Sequence, residues 1–385
     1  MRTATTHQPF PWPYLILLWL AGLFLRVPIL VIPPLAPTLS AQLDLNQTFT
    51  GTLTTLPILM LAAGALPGSM AIARWGARTA LVVALLVVAA GSAARALAPD
   101  ATLLLAATAV MGLGIAAMQP ALPALVPQWC PRHIALGSAV YMNGMLMGEF
   151  VSAGLTLPVI MPLVDGSWRT TLLVWSLPAF LVALLLRIPP QTHRGGRKAP
   201  WQPDWSTPTV WRLGLMLGAN AGTFFGTNAY LGSVLGARGE AALLDNALFG
   251  FNVTQLIASL LMLVCARYWV GRRGPLMVTH SLIAIGLAGF LATDGNLAIG
   301  LVMLTGLSAG ISLILLVALP PQLTDSHGAG RLAAGMFLIG YALAFSVPLL
   351  GGVLADVTGQ AAASLWPILA FSLVGIYFAS RRITA

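Results

Sequence analysis

Two charged side chains interrupt apolar runs that are long enough to cross a lipid bilayer. Arg26 lies near the middle of the first run, Tyr14 to Leu39, and Glu149 lies inside the fifth. Placing a charge at the centre of a bilayer costs between about 3 and more than 10 kcal/mol, so such a residue usually has a functional role. A guanidinium carries a rigid fork of donors that suits carboxylate-like or planar ligands. Arg26 is therefore the first candidate for a residue that meets a solute.

Arg26 and Glu149 share a depth in the bilayer if their runs begin near residues 13 and 134. A helix rises about 1.5 Å per residue, so both side chains lie roughly 20 Å from the same membrane face. Arg26 either binds the solute or pairs with Glu149 or backbone carbonyls as a structural element. Glu149 either carries a proton or contacts the solute, or it only balances Arg26, or it lies at another depth. The sequence leaves these alternatives open.

A seventh apolar run has a polar and aromatic middle that predicts either a cavity wall or a helix contact. Asn220, Thr223, Thr227 and Tyr230 recur every three or four residues and form one stripe on a helix. The same stretch includes Phe224, Phe225 and Asn228. Polar residues in five other runs are candidates for the rest of a cavity: Gln119, Tyr141, Asn143, Asn252, Gln255, Ser308 and Tyr341.

The elements that must position these residues are predicted to be twelve membrane-spanning helices. The chain has 385 residues, of which 58% are hydrophobic and 8% are charged, against about 25% charged residues in a soluble domain. Hydrocarbon satisfies no backbone polar group, and the runs lack the alternation of a barrel strand, so helices are expected. The predicted spans are 13 to 39, 50 to 73, 79 to 97, 101 to 126, 134 to 162, 168 to 189, 211 to 235, 241 to 266, 275 to 293, 296 to 319, 332 to 354 and 360 to 380.

The basic residues predict the orientation. If both termini are cytoplasmic, 15 of the 19 Lys and Arg residues lie on the cytoplasmic side, as the positive-inside rule expects. We therefore expect a multi-pass protein of the bacterial inner membrane whose first run is a mature helix rather than a signal peptide. The net charge of +9 then reflects topology, and no nucleic-acid partner is inferred from it.

An internal repeat divides the predicted helices into six and six. The longest polar interval, 189 to 206, predicts a cytoplasmic linker, which gives an amino-terminal bundle at 1–189, a linker at 190–210 and a carboxy-terminal bundle at 211–385. Similar basic turns follow the second span of each half, and they predict a duplication with conformational loops at these positions: Arg74, Gly76 and Arg78 in the first, Arg272 and Gly274 in the second. Such repeats place a solute site between the halves.

Other function classes have no support in the sequence. Two cysteines and five scattered histidines give no metal-ligand spacing, and we expect no cofactor. No Walker-type motif is present, which argues against ATP-driven transport, and no catalytic cluster indicates an enzyme. The expected partners are a small-molecule solute, the lipid bilayer and, if transport is coupled, protons; we expect a monomer.

The chain resembles the major facilitator superfamily and, within it, the cyanate porter family of cyanate and 2-nitroimidazole transporters. The resemblance implies a fold in which helices one, four, seven and ten face a central cavity, and a solute contact for Arg26. Two features depart from it: Ala73 replaces the usual acid before Arg74, and Glu149 is not expected. The motifs that carry the resemblance are Leu25-Arg26-Val27-Pro28, Leu53-Thr54-Thr55-Leu56-Pro57, Met111-Gly112-Leu113-Gly114-Ile115, Leu122-Pro123, Gly166-Ser167-Trp168-Arg169, Gly340-Tyr341, Pro348, Gly352, Asp356 and Gly359.

Together these observations predict a secondary transporter that moves a small polar or anionic solute by alternating access, with proton coupling as one option. An exporter of drug-like or nitroaromatic compounds is the alternative within the same fold. A membrane receptor without flux is a further alternative.

Overall fold

The computed structural model describes residues 10–43, 47–189 and 200–381, and within these ranges the chain is helical with no strand. Short 3-10 turns precede α11 and α16, and a π-helical turn, Thr156–Ile160, follows α7. The helices are α1 (Trp12–Leu23), α2 (Val27–Leu30), α3 (Ile32–Leu43), α4 (Gln47–Trp75), α5 (Ala77–Leu97), α6 (Ala101–Trp129), α7 (Ile134–Leu155), α8 (Met161–Leu163), α9 (Trp168–Leu185), α10 (Pro208–Ala237), α11 (Leu244–Trp269), α12 (Arg273–Ala292), α13 (Gly295–Val317), α14 (Pro320–Leu323), α15 (Ser326–Thr358) and α16 (Trp366–Ser380).

Eleven segments of the described chain are long and apolar enough to span a membrane. The remaining long helix, α10, has 30 residues and is therefore about 45 Å long. Its polar middle lowers its mean hydropathy, although its length suffices to cross a bilayer. With α10 included, the structure confirms the predicted all-helical fold of twelve spans.

The first span is interrupted at Arg26 rather than continuous. Helix α1 ends at Leu23 and α2 begins at Val27, with Pro28 in its first turn. Pro28 has no N–H to donate to the carbonyl of Phe24, so the regular hydrogen-bond ladder cannot continue there. The Arg26 N–H instead donates to the Leu23 carbonyl at 3.2 Å, three residues back. Arg26 therefore lies at a break in a membrane helix.

Helix packing repeats between the first half (α1 to α9) and the second half (α10 to α16). Helix α1 packs on α7 as α10 packs on α15, and α4 packs on α6 as α11 packs on α13. Helix α5 contacts both α6 and α9, and its counterpart α12 contacts both α13 and α16. This correspondence supports the inferred duplication. The exact division at 1–189, 190–210 and 211–385 stays a prediction, and 190–199 lie outside the described residues.

The two basic turns correspond to each other, but the residues that align differ from those that the sequence predicted. Gly76 and Gly271 both adopt positive φ, 84° and 80°, which glycine tolerates without a Cβ penalty. The counterpart of Gly76 is therefore Gly271 and not Gly274, which lies inside α12. The guanidinium two residues after each turn glycine donates to the end of a neighbouring helix at 3.5 Å: Arg78 to the Arg187 carbonyl and Arg273 to the Ser380 carbonyl. The sequence pattern aligned Gly274 with Gly76 because Arg272 precedes Gly274 by two residues, as Arg74 precedes Gly76. Arg74 and Arg272 flank these turns, at the last turn of α4 and the N-cap of α12.

The halves meet along α4 with α15, α6 with α15, and α7 with α11. We call the end of the bundle at which α4 ends and α10 begins the basic end, because the turns with Arg74, Arg78, Arg272 and Arg273 lie there. The other end is the opposite end.

Candidate functional site

A cavity of about 610 Å³ lies between the halves, walled by the α1 to α3 segment, α4, α7, α10 and α11. Four of the predicted site residues line it: Arg26, Glu149, Phe224 and Asn252. The lining comes from the parts of these helices that are nearer the opposite end, from Ile58 on α4 to Leu248 on α11. The cavity therefore faces the opposite end of the bundle.

Arg26 and Glu149 form an ion pair at one side of this cavity. Arg26 Nε lies 3.9 Å from Glu149 Oε2, and the two side chains are 8% and 19% exposed. Neither of these two atoms has a hydrogen-bond partner in the described structure, and 3.9 Å is too long for a hydrogen bond. The charges balance each other electrostatically, but the hydrogen-bonding capacity of both atoms remains unused. Such a pair can accept a ligand or a proton without first breaking a strong bond.

Glycines bring the two charged residues together. A Cβ on Gly144 would overlap the carbonyl of Trp19, and one on Gly148 would overlap the carbonyl of Leu23. A GxxxG spacing lets two membrane helices approach with backbones in contact. Gly22 makes the reciprocal approach, since its Cβ would overlap the Tyr141 carbonyl. Helices α1 and α7 therefore pack at backbone distance just before the break that carries Arg26.

Aromatic rings of α10 form the wall beside Arg26. The Arg26 Cζ atom lies 6.0 Å from the Phe224 ring centroid and 5.7 Å from that of Phe225. These distances are at the limit of a cation–π interaction. Phe224 stacks in turn on Phe251 of α11, with centroids 6.0 Å apart. With Phe249 also in the lining, this side of the cavity is flat and apolar.

Two asparagines provide the polar groups of the same wall, which α10 and α11 form. The Asn252 amide donates to Asn228 Oδ1 at 2.9 Å and to the Leu248 carbonyl at 2.8 Å. The Asn228 amide donates to the Phe224 carbonyl at 3.0 Å. Both asparagines line the cavity, so α10 and α11 are joined by an amide pair at its surface.

The predicted stripe on α10 lies at helix contacts rather than in the cavity lining. The Asn220 amide donates to the Ala309 carbonyl of α13 at 2.9 Å, and the Tyr230 hydroxyl donates to the Pro348 carbonyl of α15 at 2.8 Å. Thr223 bonds its own helix at the Ala219 carbonyl, and Thr227 is fully buried. The cavity uses another face of the same helix, with Phe224, Phe225 and Asn228. Periodicity alone could not say which face turns inward.

Three predicted residues, Gln119, Tyr341 and Asn143, connect the halves below the cavity, towards the basic end. The Gln119 amide of α6 donates to the Tyr341 hydroxyl of α15 at 3.0 Å. The Asn143 amide of α7 donates to Ser259 Oγ of α11 at 2.9 Å, and its oxygen accepts from Trp19 Nε1 at 2.9 Å. These bonds close the space between the halves beneath Arg26.

The remaining predicted residues are buried beside this region but do not line the cavity. Tyr141 is 1% exposed, Gln255 is 4% exposed and Ser308 is 2% exposed. The Tyr141 hydroxyl and the Gln255 Nε2 have no hydrogen-bond partner in the described structure.

The basic end is sealed by further contacts between the halves. Gln128 on α6 donates to the Ser326 hydroxyl at the start of α15, and that hydroxyl donates to the Ala124 carbonyl at 2.7 Å. The bonds of Gln119 with Tyr341, of Asn143 with Ser259 and of Ser326 with α6 thus all join described residues of the two halves between Arg26 and the basic end. The molecule is therefore closed at the basic end while its cavity faces the opposite end.

Among the described residues no group of three or more His, Cys, Asp or Glu side chains has the proximity of a metal site. The site is consequently an ion pair, an aromatic wall and an amide pair. These parts can hold and orient a solute.

A family model described as Major Facilitator Superfamily matches residues 18–347. The chain belongs to the major facilitator superfamily. The match covers the Arg26–Glu149 pair, the aromatic wall and the amide pair. The protein is accordingly a multi-pass membrane transporter, and the predicted resemblance is confirmed.

Two curated transporters of Escherichia coli are similar to this chain over most of its length. The cyanate transport protein CynX of Escherichia coli (strain K12) is 29% identical over 379 residues, which is 96% of this chain and 96% of that protein. The 2-nitroimidazole transporter of the same organism is 29% identical over 363 residues, 92% of this chain and 91% of that protein. These relatives transport small molecules, so a small-molecule solute is implied here too.

Solved superfamily structures have the same fold. The proton:xylose symporter XylE has a TM-score of 0.79 at 14% identity, with 97% of this chain and 96% of that chain covered. FucP in the outward conformation also has a TM-score of 0.79 at 14% identity, with 97% and 100% covered. This similarity confirms the major facilitator fold.

Proposed function

We propose that the protein is a secondary transporter that moves a small anionic or electron-rich organic solute across the bacterial inner membrane by alternating access. The observation that carries the proposal is the unbonded Arg26–Glu149 pair, which faces a cavity between two repeated halves. An ionisable pair inside a membrane bundle is by default a substrate or proton site. Among the described residues, the other ion pair, Arg238 with Asp294, lies at the exposed opposite end and not beside this cavity.

The shape of the cavity favours a flat organic solute. Its volume of about 610 Å³ falls within the range of about 300–1,000 Å³ that is typical of pockets for drug-sized ligands. Arg26 supplies a planar fork of donors, and Phe224 and Phe225 supply aromatic faces beside it. A planar carboxylate or nitro-aromatic compound uses both features. The relative that is named a 2-nitroimidazole transporter supports the second of these solute types; an exporter of such compounds is the alternative within the same fold.

In this proposal, Glu149 couples the binding of a proton to the binding of the solute anion. While Glu149 is ionised it neutralises Arg26, and a solute anion must displace it or share the guanidinium. When Glu149 takes up a proton, Arg26 is left as the free positive charge of the site, and the anion is attracted to it. Proton and anion therefore bind together, which is the requirement for symport.

The orientation follows from the positive-inside rule. The basic end becomes cytoplasmic, together with both termini, and the cavity then faces the periplasm. Solute release to the cytoplasm requires the contacts of Gln119 with Tyr341 and of Asn143 with Ser259 to open.

Transport by the purified protein in liposomes tests the proposal. We expect uptake of a radiolabelled aromatic carboxylate or 2-nitroimidazole that rises when an inward proton gradient is imposed. Liposomes with Arg26→Ala protein serve as the control and should show only leak. Equal flux in wild-type and control liposomes for every solute in a broad panel would reject the proposal.

A further inference from the structure

We propose that Asn252 Oδ1 is a second anchor of the site, which accepts a hydrogen bond from an N–H group of a planar solute. The inference rests on the proposed function and adds the chemistry at the far end of the solute. It follows from the hydrogen bonds of the amide pair at the wall formed by α10 and α11.

The orientation of both amides is set by backbone carbonyls. The side-chain nitrogen of each asparagine donates to the backbone carbonyl four residues earlier in its helix. Asn228 donates to the Phe224 carbonyl at 3.0 Å, and Asn252 donates to the Leu248 carbonyl at 2.8 Å. A carbonyl oxygen accepts and cannot donate, so each amide must present its NH₂ group to that carbonyl. The two oxygen atoms are thereby assigned without ambiguity.

This assignment leaves one side-chain oxygen of the amide pair, Asn252 Oδ1, without a hydrogen-bond donor. Both N–H groups of Asn252 are used, one by the Leu248 carbonyl and one by Asn228 Oδ1. Asn228 Oδ1 is therefore occupied, whereas Asn252 Oδ1 accepts no hydrogen bond from any described residue. Since Asn252 lines the cavity and is partly exposed, its oxygen is available to a solute donor.

The cavity consequently has hydrogen-bond donors at one end and a hydrogen-bond acceptor at the other. Arg26 offers donors to an electron-rich group, and Asn252 offers an acceptor to an N–H group. Phe224 lies between them, because its ring is beside Arg26 and its carbonyl holds Asn228. A flat ring on this wall can meet Arg26 with one edge and Asn252 with the other. The solute class is thus a planar heteroaromatic compound with an anionic or electron-rich substituent and a ring N–H across from it.

A matched pair of probes tests the second anchor. Pyrrole-3-carboxylate and furan-3-carboxylate have the same charge and nearly the same shape, but only the pyrrole has an N–H. Binding of each to purified wild-type protein is measured by titration calorimetry. We expect the pyrrole to bind about tenfold more tightly, the factor that one net hydrogen bond provides.

Variants assign that preference to Asn252. Asn252→Leu removes the acceptor at similar volume, and we expect the affinity ratio to fall to about one because pyrrole binding alone weakens. Asn252→Asp retains an acceptor and should retain a preference for pyrrole, since its added charge acts on both probes alike. Leu256→Ala changes the same wall one turn further along without touching a polar group, and it should alter both affinities in parallel.

The outcomes separate this inference from the transport function. Equal affinity of the two probes for the wild type, or an unchanged ratio in Asn252→Leu, overturns the second anchor and leaves transport standing. Loss of furan binding as well in Asn252→Leu means that Asn252 only shapes the wall, which also overturns it. If neither probe binds the wild type, the planar-anion solute class is wrong together with the anchor, and the liposome panel then decides on transport itself.

Discussion

Gly148 of α7 lies directly against the backbone carbonyl of Leu23, the last residue of α1. Arg26 follows Leu23 by three residues, at the helix break, and Glu149 follows Gly148 by one. The contact between a glycine and a carbonyl therefore determines how far apart the two charges lie. A larger residue at position 148 would push the helices apart at the point where the ion pair forms.

Gly148→Ala should destabilise the protein by about 1–3 kcal/mol, the usual cost of overpacking a tight contact. The melting temperature in detergent should fall, and solute affinity should fall with it because Arg26 and Glu149 separate. Gly300→Ala is the matched control, since a Cβ at this glycine of α13 meets nothing within 4 Å. A Gly148→Ala variant as stable as the Gly300→Ala variant would show that the backbone contact is not tight.

Arg26→Ala should abolish solute binding while the protein stays folded and monodisperse. Its guanidinium is the only basic group among the described residues that line the cavity. Arg26→Lys should restore only part of the affinity, because the ammonium keeps the charge and loses the planar fork. Binding is measured by the thermal shift at increasing solute concentration, which grows with the ratio of concentration to Kd. Wild-type affinity in Arg26→Ala protein would remove Arg26 from the site.

Glu149→Gln separates proton coupling from structural pairing. If Glu149 carries the proton, the variant should lose accumulation driven by a pH gradient and keep solute exchange across the membrane. If Glu149 only balances Arg26, an unpaired buried charge remains, and the protein should lose about 3–5 kcal/mol of stability and exchange poorly. Gradient-driven uptake, exchange and melting temperature on this one variant distinguish the two roles. A variant that equals the wild type in all three measurements would exclude both.

The sequence predicted the helices well because the bilayer imposes a length and a composition on each span. It also placed Arg26 and Glu149 at one depth, since a helical rise converts residue number into depth. The ion pair at 3.9 Å confirms that they meet. A charged residue within an apolar run was the most informative sequence feature, and both residues found in this way line the cavity.

The face of α10 that lines the cavity could not be predicted in the same way. Both faces of this helix carry polar side chains, and hydrogen bonds to neighbouring helices use the same residue types as a solute site. Asn220 bonds α13, whereas Asn228 lies at the cavity. The partner helices decide between these outcomes, and they are distant in sequence. The spacing of Gly144 and Gly148 was a usable signal for the contact of α1 with α7.

The orientation of the chain can be checked with reporter fusions. An enzyme that is active only in the cytoplasm should work when it is fused after Arg197 or after Arg382, and it should fail when fused after Gly239, at the opposite end of the bundle. The basic residues at one end give this expectation. Activity after Gly239 or inactivity at either of the other two positions would overturn the proposed topology.

A cross-link at the basic end tests alternating access directly. A Cβ on Gly330 of α15 would lie 3.4 Å from the Ala124 Cβ of α6, close to the separation of about 3.5–4.5 Å between the Cβ atoms of a disulfide. The double variant Ala124→Cys and Gly330→Cys, with Cys130 and Cys265 replaced by serine, should form a disulfide that locks the halves together.

Oxidation of this double variant should stop flux in liposomes, because the basic end can no longer open to release the solute. Solute binding in detergent should persist, since the cavity faces the opposite end, and reduction with dithiothreitol should restore flux. The two single-cysteine variants are the controls and should be insensitive to oxidation. Thiol labelling followed by mass spectrometry measures how completely the disulfide has formed. Undiminished flux through fully cross-linked protein would mean that the solute does not pass between α6 and α15, and the alternating-access proposal would then have to be abandoned.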